Sequence, residues 1–132
     1  MRRVIHSLIL ALAIVLMGCE EEATTSENAH LYQAWTHAFE EQENANSTRL
    51  IFRPSDSQTF AASRFRESYE FGADGSCEYL FLDPADAHHF RTGSFIYDSR
   101  TQVLEIRDAN DEVYSTFLLV EVDRDRLILD RQ

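Results

Sequence analysis

Lysine is absent from this chain of 132 residues, and all 12 of its basic residues are arginine, set against 23 acids. The resulting net charge of −11 argues against nucleic acid as a partner, because phosphate must be neutralised by a basic face. It argues equally against electrostatic docking on anionic lipid. Glycine is scarce as well, at four residues, which leaves no glycine-rich loop to cradle phosphate. There is no Gly-x-Ser-x-Gly, no Cys–His motif and no paired acid and base at workable spacing, so no catalytic residue and no cofactor are indicated. The chain reads as a binding or interaction protein rather than an enzyme. Cysteine is limited to Cys19 and Cys77. A long apolar run is missing too. Leu8 to Met17 is continuous aliphatic sequence, and even Val4 to Met17 falls short of the ~20 residues that span a bilayer.

What is present at the N-terminus is a processing pattern. Arg2 and Arg3 form a positive start, and the apolar run fits the h-region of a secretory signal peptide, which is removed. The run ends in Leu16-Met17-Gly18-Cys19. These four residues resemble the lipobox of bacterial lipoproteins, with Met17 departing from the small or β-branched residue usual at its position. The resemblance implies residues 1–18 as signal peptide, lipidation at Cys19 and a membrane partner held through that lipid. Glu20 stands where an Asp would retain an enteric-type lipoprotein at the inner membrane. The expected address is therefore the cell envelope, at the outer membrane facing the periplasm. Loss of Arg2 and Arg3 with no acid takes the charge from −11 to −13. With Cys19 acylated, Cys77 has no disulfide partner and reads as a small buried hydrophobe.

Residues 19–29 are polar, acidic and free of aromatics, and cannot bury enough surface to fold. They read as a flexible tether. All 15 aromatics follow, so the core belongs to a domain over 30–132, large enough to need no staples. Most of that domain alternates with period two. Strands are expected at 49–53, 66–71, 76–82, 93–97, 102–107, 112–122 and 127–129. Between them lie turn signals such as Asp74-Gly75, Asp98-Ser99-Arg100 and Asp123-Arg124-Asp125. The segment His30 to Glu43 is ambiguous. Leu31, Ala34, Trp35, Ala38 and Phe39 fall at helical spacing, with Asn28 placed to cap it.

The order of segments from Leu31 onward resembles a small bacterial lipocalin-like family of the calycin class. The likeness is carried by a Trp-bearing opening strand ending in acids (Trp35 to Glu41) and a strand closing on Arg53-Pro54. A long loop into Ser63-Arg64-Phe65-Arg66, a glycine-containing hairpin, and a loop rich in Asp and His follow. Lipocalins usually open on Gly-x-Trp, and here Gln33 takes the glycine's place. The resemblance implies that Trp35 begins the first strand after a short helix and plugs the closed end. With that strand there are eight, enough for a small up-and-down antiparallel barrel. It also implies a small hydrophobic or amphipathic ligand. A filled barrel serving as a protein-interaction or inhibitor module is the alternative.

Three clusters carry the candidate site. Arg53, Arg64 and Arg66 form an anion clamp at the barrel mouth, or else pair with Glu40, Glu41, Glu67 or Glu70. Trp35, Tyr69 and Tyr79, with other aromatics, supply inward surface that either lines a cavity or fills it. Asp83, Asp86, His88 and His89 share a loop that is plain exposed polar surface, part of a metal site completed by His30 or His37, or a pH-sensitive or ligand-gating element. No metal is assigned on this basis.

Overall fold

The computed structural model describes residues 29–132 apart from Asp86. Cys19, the signal segment, nearly all of the tether and Asn28 lie outside the described residues. A single 3₁₀ turn, Ala29–Leu31, leads into β1 (Ala34–His37), and a second, Phe39–Glu41, follows it. Then come β2 (Arg49–Pro54), β3 (Ser68–Phe71), β4 (Ser76–Phe81), β5 (His89–Asp98), β6 (Val103–Arg107), β7 (Val113–Val122) and β8 (Leu127–Arg131). These eight strands close into a barrel in the order β1-β2-β8-β7-β6-β5-β4-β3. Every neighbouring pair is antiparallel.

The expected all-β barrel is thus present, and one connection in it is not a plain hairpin. Both β2 and β3 run antiparallel to β1, which lies between them. The segment from 55 to 67 must therefore cross the outer face of β1. It is pinned there by the Thr36 and Ser55 hydroxyls, 2.8 Å apart, and by the Ser55 N–H donating to the Ala34 carbonyl.

The helical spacing of His30 to Glu43 is not realised as a helix. Trp35 pairs with Pro54 on one side and with Tyr69 on the other, so two ladders compete with any intrahelical bonding. The same apolar residues are buried by other means. Leu31 seals the barrel end, Trp35 donates its indole N–H to the Leu31 carbonyl at 3.0 Å, and Ala38 is covered. Phe39, which a helix would have turned inward with them, stays 39% exposed. Leu31 and Trp35 thus close this end, and the short helix expected before the first strand is one 3₁₀ turn.

Inward positions alternate around the whole barrel. Trp35, Leu50, Phe52, Tyr69, Phe71, Cys77, Tyr79, Leu104, Ile106, Phe117, Leu119, Leu127 and Leu129 form one packed cluster with Leu31. Tyr69 of β3 meets Phe117 of β7 across the barrel, ring centres 5.8 Å apart, so side chains fill its middle. Burial of apolar surface on this scale, at ~25 cal/mol per Å², is what stabilises the closed shape.

β5 begins at His89, four residues before the alternation of Gly93 to Tyr97 announces it. It serves two neighbours in turn, pairing with β4 through His89 to Ser94 and with β6 through Ser94 to Asp98. Gly93 sits at that change. A Cβ there would run into the backbone carbonyl of Arg107. Gly93→Ala is therefore expected to lower stability by ~1–3 kcal/mol, the usual cost of overpacking. A thermal melt within a degree or two of the parent would show that the backbone gives way easily at this corner.

Candidate functional site

The other end of the barrel is open. Here β1 ends, β2 and β3 begin, and β8 terminates. The four strand ends surround a half-open cleft of about 550 Å³. Its apolar wall is Phe39, Leu50 and Phe65, and its polar wall includes His37, Gln42, Glu67 and Arg131. Phe65 is 68% exposed at the rim. Its ring faces His88, 6.3 Å away on the 82–88 connection, so two loops meet over the mouth.

His37 is the most unusual group in this cleft. It is only 8% exposed, wedged between the rings of Phe39 and Phe52. Burial lowers its pKa and outweighs the opposing effects of the Gln42 hydrogen bond and the Glu67 charge. The ring is accordingly neutral. Its Nε2–H donates to the Gln42 side-chain oxygen, which leaves Nδ1 as the acceptor. That Nδ1 is buried without a hydrogen-bond partner. A buried polar atom without a partner costs roughly 1–3 kcal/mol, and a ligand carrying an O–H or N–H donor would relieve that cost.

Beside it lies a charged relay. Glu67 accepts from the Tyr69 hydroxyl at 2.8 Å and pairs with Arg131, whose guanidinium lies 5.3 Å from the Phe117 ring centre. Burial and the Glu67 charge push the Tyr69 phenol well up, so it remains a donor. The relay places one balanced ion pair at the floor of the mouth and adds no net charge there. An uncharged or amphipathic ligand suits such a floor.

The residues singled out from the sequence are distributed over the barrel. Trp35 belongs to the closed end and is remote from the cleft. Tyr69 lies under the cleft and orients Glu67. Tyr79 is inward and fully buried on the opposite wall, stacked on Tyr114 at 4.4 Å. Two of the three clamp arginines are committed to the protein itself. Arg53 donates to Glu41, at 2.9 Å from Nε, and to the Asp125 carbonyl. Arg66 is 7% exposed, forks onto Glu40 and also donates to the backbone carbonyls of His37 and Ala61. This pairing holds the Glu40 carboxyl down at about 2. Arg66 thereby fastens the crossing segment to β1, the structural alternative to an anion clamp. Arg64 is engaged elsewhere in the protein.

The loop of Asp and His is drawn apart. Asp83 accepts from the Ala85 N–H, and His89 lies in β5 with Nδ1 on the Ala87 carbonyl. Asp86 is outside the described residues. Among the described residues no three His, Cys, Asp or Glu side chains gather around one point. Cys77 is fully buried, and burial pushes its thiol up to about 12, so it is inert as a nucleophile.

The geometry defines a small closed eight-stranded antiparallel barrel with a filled centre and a cleft at one mouth. Comparison with protein-family models, curated proteins and solved structures finds no match to this chain.

Proposed function

We propose that this is a lipid-anchored cell-envelope protein that acts by binding, and that its ligand is a small amphipathic molecule seated in the mouth cleft. The observation that carries the ligand class is the neutral, buried His37, its Nδ1 unpartnered, in the lining of a cleft whose apolar wall is Phe39, Leu50 and Phe65. A hydroxyl or amine N–H of the ligand donates to Nδ1, and an apolar portion lies on the aromatic wall. Because the barrel centre is packed, the ligand is held at the rim rather than swallowed.

Native mass spectrometry of the protein extracted from its host membranes tests this. A non-covalently bound small molecule is expected on the parent. Occupancy is expected to fall about tenfold in His37→Phe, which keeps a ring in place and removes the acceptor. Equal occupancy in parent and variant, or none in either, would remove the reading. In that event the exposed aromatics Phe65 and Phe90, at 68% and 60%, favour the interaction module, with another envelope protein as partner.

A further inference from the structure

We propose a second site, independent of the mouth cleft, in the opening between β5 and the Asp108–Glu112 turn, where Arg91 and the Tyr79 hydroxyl bind the carboxylate of a small organic acid. The opening follows from the register. β6 pairs with β5 only as far as Ser94, so His89 to Gly93 have no β6 partner. The chain instead turns away, with the Asp108 N–H donating to the Glu112 carbonyl. What is left is a pocket of about 320 Å³ whose lining includes Tyr79, Arg91, Thr92, Asp108 and Asn110.

The two proposed binding groups face each other across the β4–β5 ladder, where Tyr79 is the partner of Arg91. Tyr79 is fully buried, its oxygen lies within reach of the Arg91 guanidinium, and its O–H has no acceptor. Burial raises the phenol's pKa, so the group is an O–H donor lacking an acceptor. Arg91 is fixed in its plane by lying 3.5 Å over the Phe81 ring and by donating from Nε to His89 Nε2 at 3.1 Å. It forms no ion pair among the described residues. Most arginines here differ: Arg49, Arg53, Arg66, Arg100, Arg107, Arg126 and Arg131 each sit within salt-bridge distance of a carboxylate. The pocket thus presents a planar fork and an O–H donor, which together match the two oxygens of a carboxylate.

Asp108 sets the charge the site accepts. It lines the same pocket, and its Oδ1 already accepts from the Asn110 and Glu112 N–H groups at 2.8 and 3.0 Å. Its negative charge opposes any second charge on the ligand. Monocarboxylates are therefore favoured over sulfate, phosphate and dicarboxylates.

The test is a titration of the full-length protein in non-ionic detergent with sodium butyrate, at ionic strength held constant with sodium chloride. The readout is the NMR shift of the Thr92 and Asn110 backbone amides. A saturable shift is expected, with sodium sulfate giving none. Arg91→Gln, at an exposed strand position, is expected to weaken butyrate about tenfold, and Tyr79→Phe, which keeps the stack on Tyr114, about fivefold. Asp108→Asn is expected to tighten butyrate and to admit sulfate. Shifts that never saturate, butyrate binding unchanged in Arg91→Gln, or sulfate binding as well as butyrate in the parent would each overturn the proposal. A loss of fold in Tyr79→Phe leaves the decision with Arg91→Gln and the sulfate comparison.

Discussion

Trp35→Ala is expected to lower the melting temperature of the barrel by more than about 15 °C. A Trp-to-Ala change in a core costs ~3–5 kcal/mol. Each kcal/mol moves the melting point by ~4–8 °C in a domain of this size. The site belongs at the upper end of that range for three reasons. Trp35 is fully buried at the closed end of the barrel, beside the equally buried Leu31. Its indole N–H donates to the Leu31 carbonyl, which also accepts from the Gln33 N–H, so truncation removes one of the two hydrogen bonds at that buried oxygen. Finally, β1 is only Ala34–His37, and it is the strand that joins β2 to β3. Loosening it opens the barrel rather than merely leaving a hole. Trp35→Phe separates these effects, since it keeps most of the apolar surface and loses the hydrogen bond. It is expected to cost ~1–2 kcal/mol. Circular dichroism melts of both variants decide the matter. A Trp35→Ala melt within a few degrees of the parent would mean that the closed end is not what holds the barrel shut.

Much of this architecture is legible in the period-two pattern, because each strand buries one face and turns the other to water. Val103 to Arg107 shows it plainly, with Leu104 and Ile106 fully buried and the others partly exposed. The first strand is less legible. Leu31, Trp35, Ala38 and Phe39 satisfy a helical period only because an end plug, an inward strand residue, a covered corner and a rim aromatic happen to follow one another. Three different burials imitate one helix face. The choice between strand and helix rests on pairing with β2 and β3, which no local pattern encodes. The crossing of 55–67 is hidden for the same reason.

The site residues had a signal that was easy to overlook. Glu67 continues the inward parity of Tyr69 and Phe71, Arg131 that of Leu127 and Leu129, Arg91 that of Phe95 and Tyr97, and His37 that of Trp35. Each is a polar side chain on the inward face at the strand end beside the mouth. Polar residues with core parity at one end of several strands mark an open mouth. Sequence neighbours drew attention to Arg53, Arg64 and Arg66 instead, because clustering along the chain resembles clustering in space. Arg53 points outward from β2 to Glu41, and Arg66 staples a loop. Tyr114 follows no parity. The register shift between Ile106 and Arg107, which pair with Ser115 and Val113, leaves Tyr114 as the extra residue of a bulge, and it packs on Tyr79.

The second large effect concerns the membrane. Cys19→Ala is expected to abolish incorporation of a palmitate analogue, to stop processing after Gly18, and to turn an alkali-resistant membrane protein into one that alkaline carbonate washes away. The reasoning is chemical. Acylation in the lipoprotein class begins on the thiol, and alanine offers no nucleophile. Several acyl chains, at ~0.8 kcal/mol per buried CH₂, give retention that one chain alone does not. What remains in the variant is the run Val4 to Met17, short of the ~20 residues needed to span. The surface of a chain with net charge −11 offers no attraction to anionic lipid in its place. Cys77 supplies the internal control. It is the second of two cysteines, so any label surviving in Cys19→Ala would have to sit there. Yet it is fully buried in β4 with its thiol pushed up to about 12, and a folded barrel cannot present it to an acyl donor. Cys77→Ala should therefore label like the parent. If Cys19→Ala still incorporates palmitate, or if the parent carries none, the membrane address falls. The mouth cleft and its His37 would then have to be explained in a protein free to diffuse.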